Sequence, residues 1–143
     1  MKQFMQFVEH HWQLWGALVV IIVWLIFEEL TTKIGALRRL NVTDAVFMVN
    51  HDNALVIDLR TEQAFNSGHI LHALNFPAKD FTSHSSKILI HKERPLILID
   101  SNDAEAQAIG KKLILQGCSK VYLLARGIDA WKSAGMPLTT NKN

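Results

Sequence analysis

Among the continuously apolar stretches of the chain, four set its plan, and their lengths sort them into two kinds. Residues 14–27 form one unbroken run. With Trp12 and Gln13 it predicts a sixteen-residue helix, about 24 Å long at 1.5 Å per residue. The other three, residues 54–57, Leu96–Ile99 and Val121–Leu124, are of strand length. Continuous rather than alternating apolar character predicts strands buried on both faces, as in a parallel sheet flanked by helices. Residues 104–116, ended by Gly117 in a C-cap position, supply a helix between the last two strands, giving a βαβ unit with a right-handed crossover. Nearer the start, Asn41 and Val42 close a short first strand, and Thr43 is the expected N-cap of a helix carrying Ala45, Val46 and Val49. Residues 77–86, with Ser83, Ser85 and Ser86, read as a loop, followed by a short helix over 87–91.

The N-terminal run is apolar all round, so it lacks the polar face of an interfacial helix, and Trp12, Trp15 and Trp24 lie near its ends. No small-x-small cleavage site follows it, which argues against a cleaved signal peptide, and a buried core helix is the other alternative. The expectation is one transmembrane helix. Lys2 precedes the span and Lys33, Arg38 and Arg39 follow it, which predicts an outer N-terminus and a cytoplasmic C-terminal domain. The expected organisation is a flank 1–11, a transmembrane helix 12–30, a tether 31–39, a domain 40–138 and a tail 139–143.

With 143 residues there is room for one ordinary domain and an appendage. A formal net charge of +2, spread rather than gathered in a stripe, gives nucleic-acid binding no support. The single Cys118 permits no internal disulfide and no C-x-x-C motif, and reads as a small buried thiol. His69 and His72 form an H-x-x-H pair without a third ligand, so no metal or cofactor is expected, and His10 and His11 read as interfacial polar residues.

Two blocks frame the domain. Early stands Asp58-Leu59-Arg60, then Phe65, Gly68-His69-Ile70, Ala73, Asn75 and Pro77. Late stands Leu124-Ala125-Arg126-Gly127, then Ala130-Trp131 and Gly135-Met136-Pro137. In this order they resemble the rhodanese homology family over residues 40–138. The resemblance implies an α/β fold with a rhodanese-like parallel sheet flanked by helices, and a sulfurtransferase whose cysteine ends the central strand. Here that position is Asp100. Further departures are Ala64 for the usual acid, His72 for a glycine and Arg126 for the first of two glycines.

A persulfide-carrying nucleophile must be a thiolate, stabilised by loop amides and a helix N-terminus. The loop Asp100-Ser101-Asn102-Asp103-Ala104-Glu105 instead carries three acids and no Lys or Arg, which would repel an anionic sulfur donor. A plain structural role is open to it: Asn102 or Asp103 caps the helix and Glu105 favours its dipole. Asp58 and Arg60 read as a buried ion pair, Gly68 as a positive-φ residue, Trp131 as a helix anchor, and His69 and Gly127 as scaffold. The expected function is a catalytically inactive, membrane-anchored binding or scaffolding module at the cytoplasmic membrane face, with the membrane and another membrane or cytoplasmic protein as partners. The alternatives are a sulfurtransferase using a partner's thiol, a carboxylate chemistry at Asp58 and Asp100, and a purely structural tether.

Overall fold

The computed structural model describes residues 12–33 and 36–140. They fall into two units divided after Gly35. The first contains helix α1 (Trp12–Lys33), whose large apolar side chains over residues 14–27 are all exposed. Among the described residues no helix is long and apolar enough to cross a membrane, so the expected transmembrane helix, and the membrane orientation built on it, are corrected. The physical reason lies in length. The unbroken run of fourteen residues spans about 21 Å, against about 30 Å of hydrocarbon. Glu28 and Glu29 then interrupt it. The expected flank 1–11, with His10 and His11, lies outside the described residues, as do residues 34–35 of the tether and 141–143 of the tail.

The second unit is built on a five-stranded, wholly parallel sheet. Its strands are β1 (Arg38–Leu40), β2 (Leu55–Asp58), β3 (Leu74–Asn75), β4 (Leu96–Ile99) and β5 (Val121–Leu124), in spatial order β1-β5-β4-β2-β3. The apolar runs dictate this arrangement. All four residues of β4 are at most 1 % exposed, and its side chains alternate between two cores. Leu96 and Leu98 join Leu55, Ile57, Ile109 and Leu113 on one face, while Ile97 and Ile99 join Val56, Phe65, Ile128 and Trp131 on the other. Each such aliphatic side chain stabilises the fold by roughly 1.5–3 kcal/mol through area removed from water.

Helices α2 (Val42–His51), α3 (Glu62–Ser67), α4 (Phe81–Leu89), α5 (Asp103–Leu115) and α6 (Gly127–Ser133) cover the two faces. Asn41, not Thr43, caps α2, its Oδ1 accepting the Asp44 N–H at 2.7 Å, and the first strand ends at Leu40. The stretch expected to be a loop is a 3-10 turn (Ala78–Asp80) continued by α4. Its serines have poor helix propensity, but Phe81 and Ile88 lie one heptad apart and both bury in the core beneath the sheet. Gly68 has φ of 165°, which is extended backbone, so the expected positive φ is corrected too.

Because every strand is parallel, the carboxyl ends of β2 and β4 lie on one edge. Chain order reverses between these neighbours, since β3 is added outside β2 and β4 on its other side. That switch point is where open α/β sheets form a crevice.

Candidate functional site

The last residue of β2 and the first after β4 are both aspartates, and packing gives them opposite circumstances. Asp58 is fully buried and bound to Arg60: Nη2 donates to Oδ2 at 2.7 Å, Nε donates to both carboxylate oxygens at 3.0 and 3.1 Å, and the Arg60 N–H donates to Oδ1 at 3.0 Å. Arg60 Nη2 also donates to the Gly68 carbonyl at 2.8 Å, pinning the end of α3. Asn75 Nδ2 donates to the carbonyls of Asp58 and Arg60, fastening the next strand to the same turn.

Asp100 begins a three-residue connection from β4 into α5. Its Oδ1 accepts the Ser101 N–H at 2.7 Å, and Asn102, the N-cap, accepts the Ala104 N–H at 3.1 Å. Loop side chains therefore occupy the backbone amides of Ser101 and Ala104. Asp100 Oδ2 is buried and, among the described residues, has no hydrogen-bond partner. Burial pushes the Asp100 carboxyl above the usual carboxylate range. The amides of Ser101 and Asn102 draw it partly back, and the charges of Glu105 and Asp58 add to the rise.

Gly127 fixes the position of this junction. Its φ is +53°, and a Cβ there would stand 2.7 Å from the Asp100 carbonyl oxygen, so only glycine lets the start of α6 close on the end of β4.

A cavity of about 220 Å³ opens beside Asp100. Its walls come from three places: Asp100, Ser101, Asn102 and Glu105 of the loop and helix; Leu59, Arg60, Thr61 and Ala64 after β2; and Pro77, Ala78 and Lys79 after β3. The sequence reading named the first group and Arg60, but not Ala64 or Lys79 as cavity residues. A signal existed only in the fold, where the Ala78 N–H donates to the Leu59 carbonyl and brings the 3-10 turn against the β2 turn.

The other singled-out residues stand apart from the cavity. Asp103 pairs outward with Arg39 at 3.0 Å, both half-exposed, and Ala104 is part of the cap. His69 is buried, its Nδ1 bonded to the Phe65 carbonyl and its ring stacked on Phe65 with centroids 3.8 Å apart. Trp131 is buried, and its Nε1 donates to the Pro137 carbonyl at 3.1 Å. His72 is exposed, and the described residues hold no group of three metal-ligating side chains. Cys118 is buried just after α5, which begins at the carboxyl end of β4 and returns to the amino end of β5. It therefore lies at the sheet edge opposite Asp100, and burial pushes its thiol up, with Lys92 offsetting part of the rise.

A parallel sheet with a loop and helix N-terminus at its switch point defines an α/β domain whose central strand ends beside a cavity. The family model described as Rhodanese-like domain matches residues 42–134, and the chain belongs to that family. It is 30 % identical to the uncharacterized protein YibN of Escherichia coli (strain K12), across 99 % of this chain and 100 % of that protein. It is 24 % identical to the thiosulfate sulfurtransferase GlpE of Coxiella burnetii, across 74 % of this chain and 97 % of GlpE. Among solved structures, the Rhodanese_3-like domain of the Alr3790 protein from Anabaena superposes with a TM-score of 0.56 at 27 % identity, covering 62 % of this chain and 94 % of that one.

Proposed function

We propose that this rhodanese-like domain is a binding or scaffolding module without sulfur-transfer activity of its own, and that the cavity beside Asp100 is its recognition site. The observation that carries this reading is the carboxylate at the end of β4, where the family resemblance puts the sulfur nucleophile. A carboxylate oxygen cannot accept and release a sulfane sulfur as a thiolate does. Asp100 and Asn102 also already occupy loop amides that would hold the anion. Cys118 offers no substitute from the opposite edge, buried and with its thiol favoured over the thiolate. A carboxylate pair of Asp58 and Asp100 is disfavoured because Asp58 is committed to Arg60 on both oxygens.

The likeness to GlpE supports a second reading, sulfur transfer in which a partner protein supplies the thiol. Thiocyanate formation by the full chain from thiosulfate and cyanide separates the two. The binding reading expects the rate of a protein-free control, with or without a dithiol acceptor. Turnover that appears with the isolated chain and vanishes in Cys118→Ala would refute it, and turnover that appears only with an added partner thiol would establish the second reading.

A further inference from the structure

Four ionisable side chains border the cavity: Arg60, Lys79, Asp100 and Glu105. Arg60 brings it no uncommitted charge, because its guanidinium is bound to Asp58 and to the Gly68 carbonyl. Lys79 is an exposed residue of the 3-10 turn, and the Asp58–Arg60 pair is neutral as a whole. Asp100 and Glu105 are then the two acids of the cavity wall, against the one exposed cation Lys79. The acceptor capacity of Asp100 is also partly unused. A carboxylate has about four lone-pair sites. Oδ1 accepts the Ser101 N–H, the Asn102 amide also acts on the carboxylate, and Oδ2 has no hydrogen-bond partner among the described residues. The remaining wall is apolar at Leu59, Ala64, Pro77 and Ala78, the kind of surface along which the methylene stem of a long cationic side chain packs while its head finds an acceptor.

We propose that the cavity binds a cationic hydrogen-bond donor, a guanidinium or primary ammonium group, with Asp100 as its acceptor and Glu105 adding charge at the rim. This inference rests on the binding reading above and names its ligand class. The class is opposite in charge to the anions a sulfur-transfer site must admit. Two sources present the same chemistry, a free small cation and an arginine or lysine side chain of a partner protein. Lys79 is the built-in competitor, close enough to line the cavity yet without an ion pair to Asp100 among the described residues.

The test is a titration of the full-length chain with methylguanidinium chloride, read by the carboxyl carbon of Asp100 and the amides of Ser101 and Ala104 in NMR spectra. Tetramethylammonium chloride, a cation without N–H donors, and sodium thiosulfate are run at matched ionic strength. Saturable shifts with methylguanidinium are expected. Loss of a charge-assisted bond in Asp100→Asn should weaken them about tenfold or more. Glu105→Gln should weaken binding and Lys79→Ala should tighten it, each by about twofold, as suits exposed charges. These two surface variants keep the test decisive if the Asp100 variant fails to fold. An equal response to tetramethylammonium, no response to either surface variant, or saturable binding of thiosulfate alone would overturn the proposal. Binding of an arginine peptide about tenfold tighter than methylguanidinium assigns a protein side chain as the source, and equal affinity assigns a free cation. Sulfur turnover in the thiocyanate assay would sink the binding reading while leaving a positive titration standing, so the two failures can be told apart.

Discussion

Removing either partner of the Asp58–Arg60 pair should cost the domain more than any other single polar change at this edge. The pair is held by three side-chain bonds of 2.7 to 3.1 Å, with side-chain exposures of 0 % and 7 %. Asp58→Ala leaves a guanidinium buried with only the Gly68 carbonyl to receive it, and Arg60→Ala leaves a buried carboxylate with only a backbone N–H. An uncompensated buried charge of this kind costs about 3–5 kcal/mol. For a chain of this size that lowers Tm by roughly 6–20 °C, at about 2–4 °C per kcal/mol. The double variant removes both charges at once, so it should cost less than the sum of the single changes by about 2–3 kcal/mol. Urea unfolding of the full chain, followed by circular dichroism, measures all three. If the single costs add to the double within about 0.5 kcal/mol, the two groups are not coupled and the role given to them as the clamp on the β2 turn is wrong.

Asp100→Asn should change the pH dependence of stability. The Asp100 carboxyl is raised on folding, so the native state holds its proton more tightly, and stability falls as pH rises from the unfolded-state value through the native one. The Asn variant lacks that fall and should be more stable near neutral pH by about 1 kcal/mol or less, after discounting for solvent at a partly exposed site; a variant less stable than the parent at pH 7 would contradict this. His72 and Arg126 have φ of 63° and 60°, so His72→Gly and Arg126→Gly should each stabilise by about 0.5 kcal/mol, the relief of left-handed strain exceeding the entropy glycine adds to the unfolded chain. Thermal unfolding would show the gain. Gly127→Ala should destabilise by about 1–3 kcal/mol and shift the amide resonances of Ser101 and Asn102, because the new Cβ meets the Asp100 carbonyl.

The sheet was legible where a strand is buried on both faces. The runs that become β4 and β5 have no polar residue to blur their ends, and β2 differs from its expected bounds by one residue at each end because it closes on a buried aspartate. Helix α4 was illegible for the opposite reason: three serines argue locally for a loop, and only the sheet beneath Phe81 and Ile88 overrules them. β3 has two residues, too few to carry a pattern. The N-terminal helix was legible as a helix, but reading it as a membrane span ran ahead of the length of its unbroken apolar run. At the site, the loop from Asp100 could be read because it directly follows an apolar run. Ala64 and Lys79 could not, since only the pairing of β2 with β3 and the bond from Ala78 to Leu59 bring them across from Asp100. The glycine-to-His72 and glycine-to-Arg126 departures were visible in the sequence, but that both fall on left-handed backbone was not.

Gly127 closes on the main-chain carbonyl of Asp100 and not on its side chain. The close approach at this junction is thus made by the backbone of residue 100, whatever side chain that residue bears. Chemistry there is a replaceable tip on a fixed mount. Asp100 belongs to neither hydrophobic core, so the packing of both faces is laid down without its side chain. A mount that does not depend on its tip leaves the end of the middle strand as the place where members of one fold can differ without differing in shape.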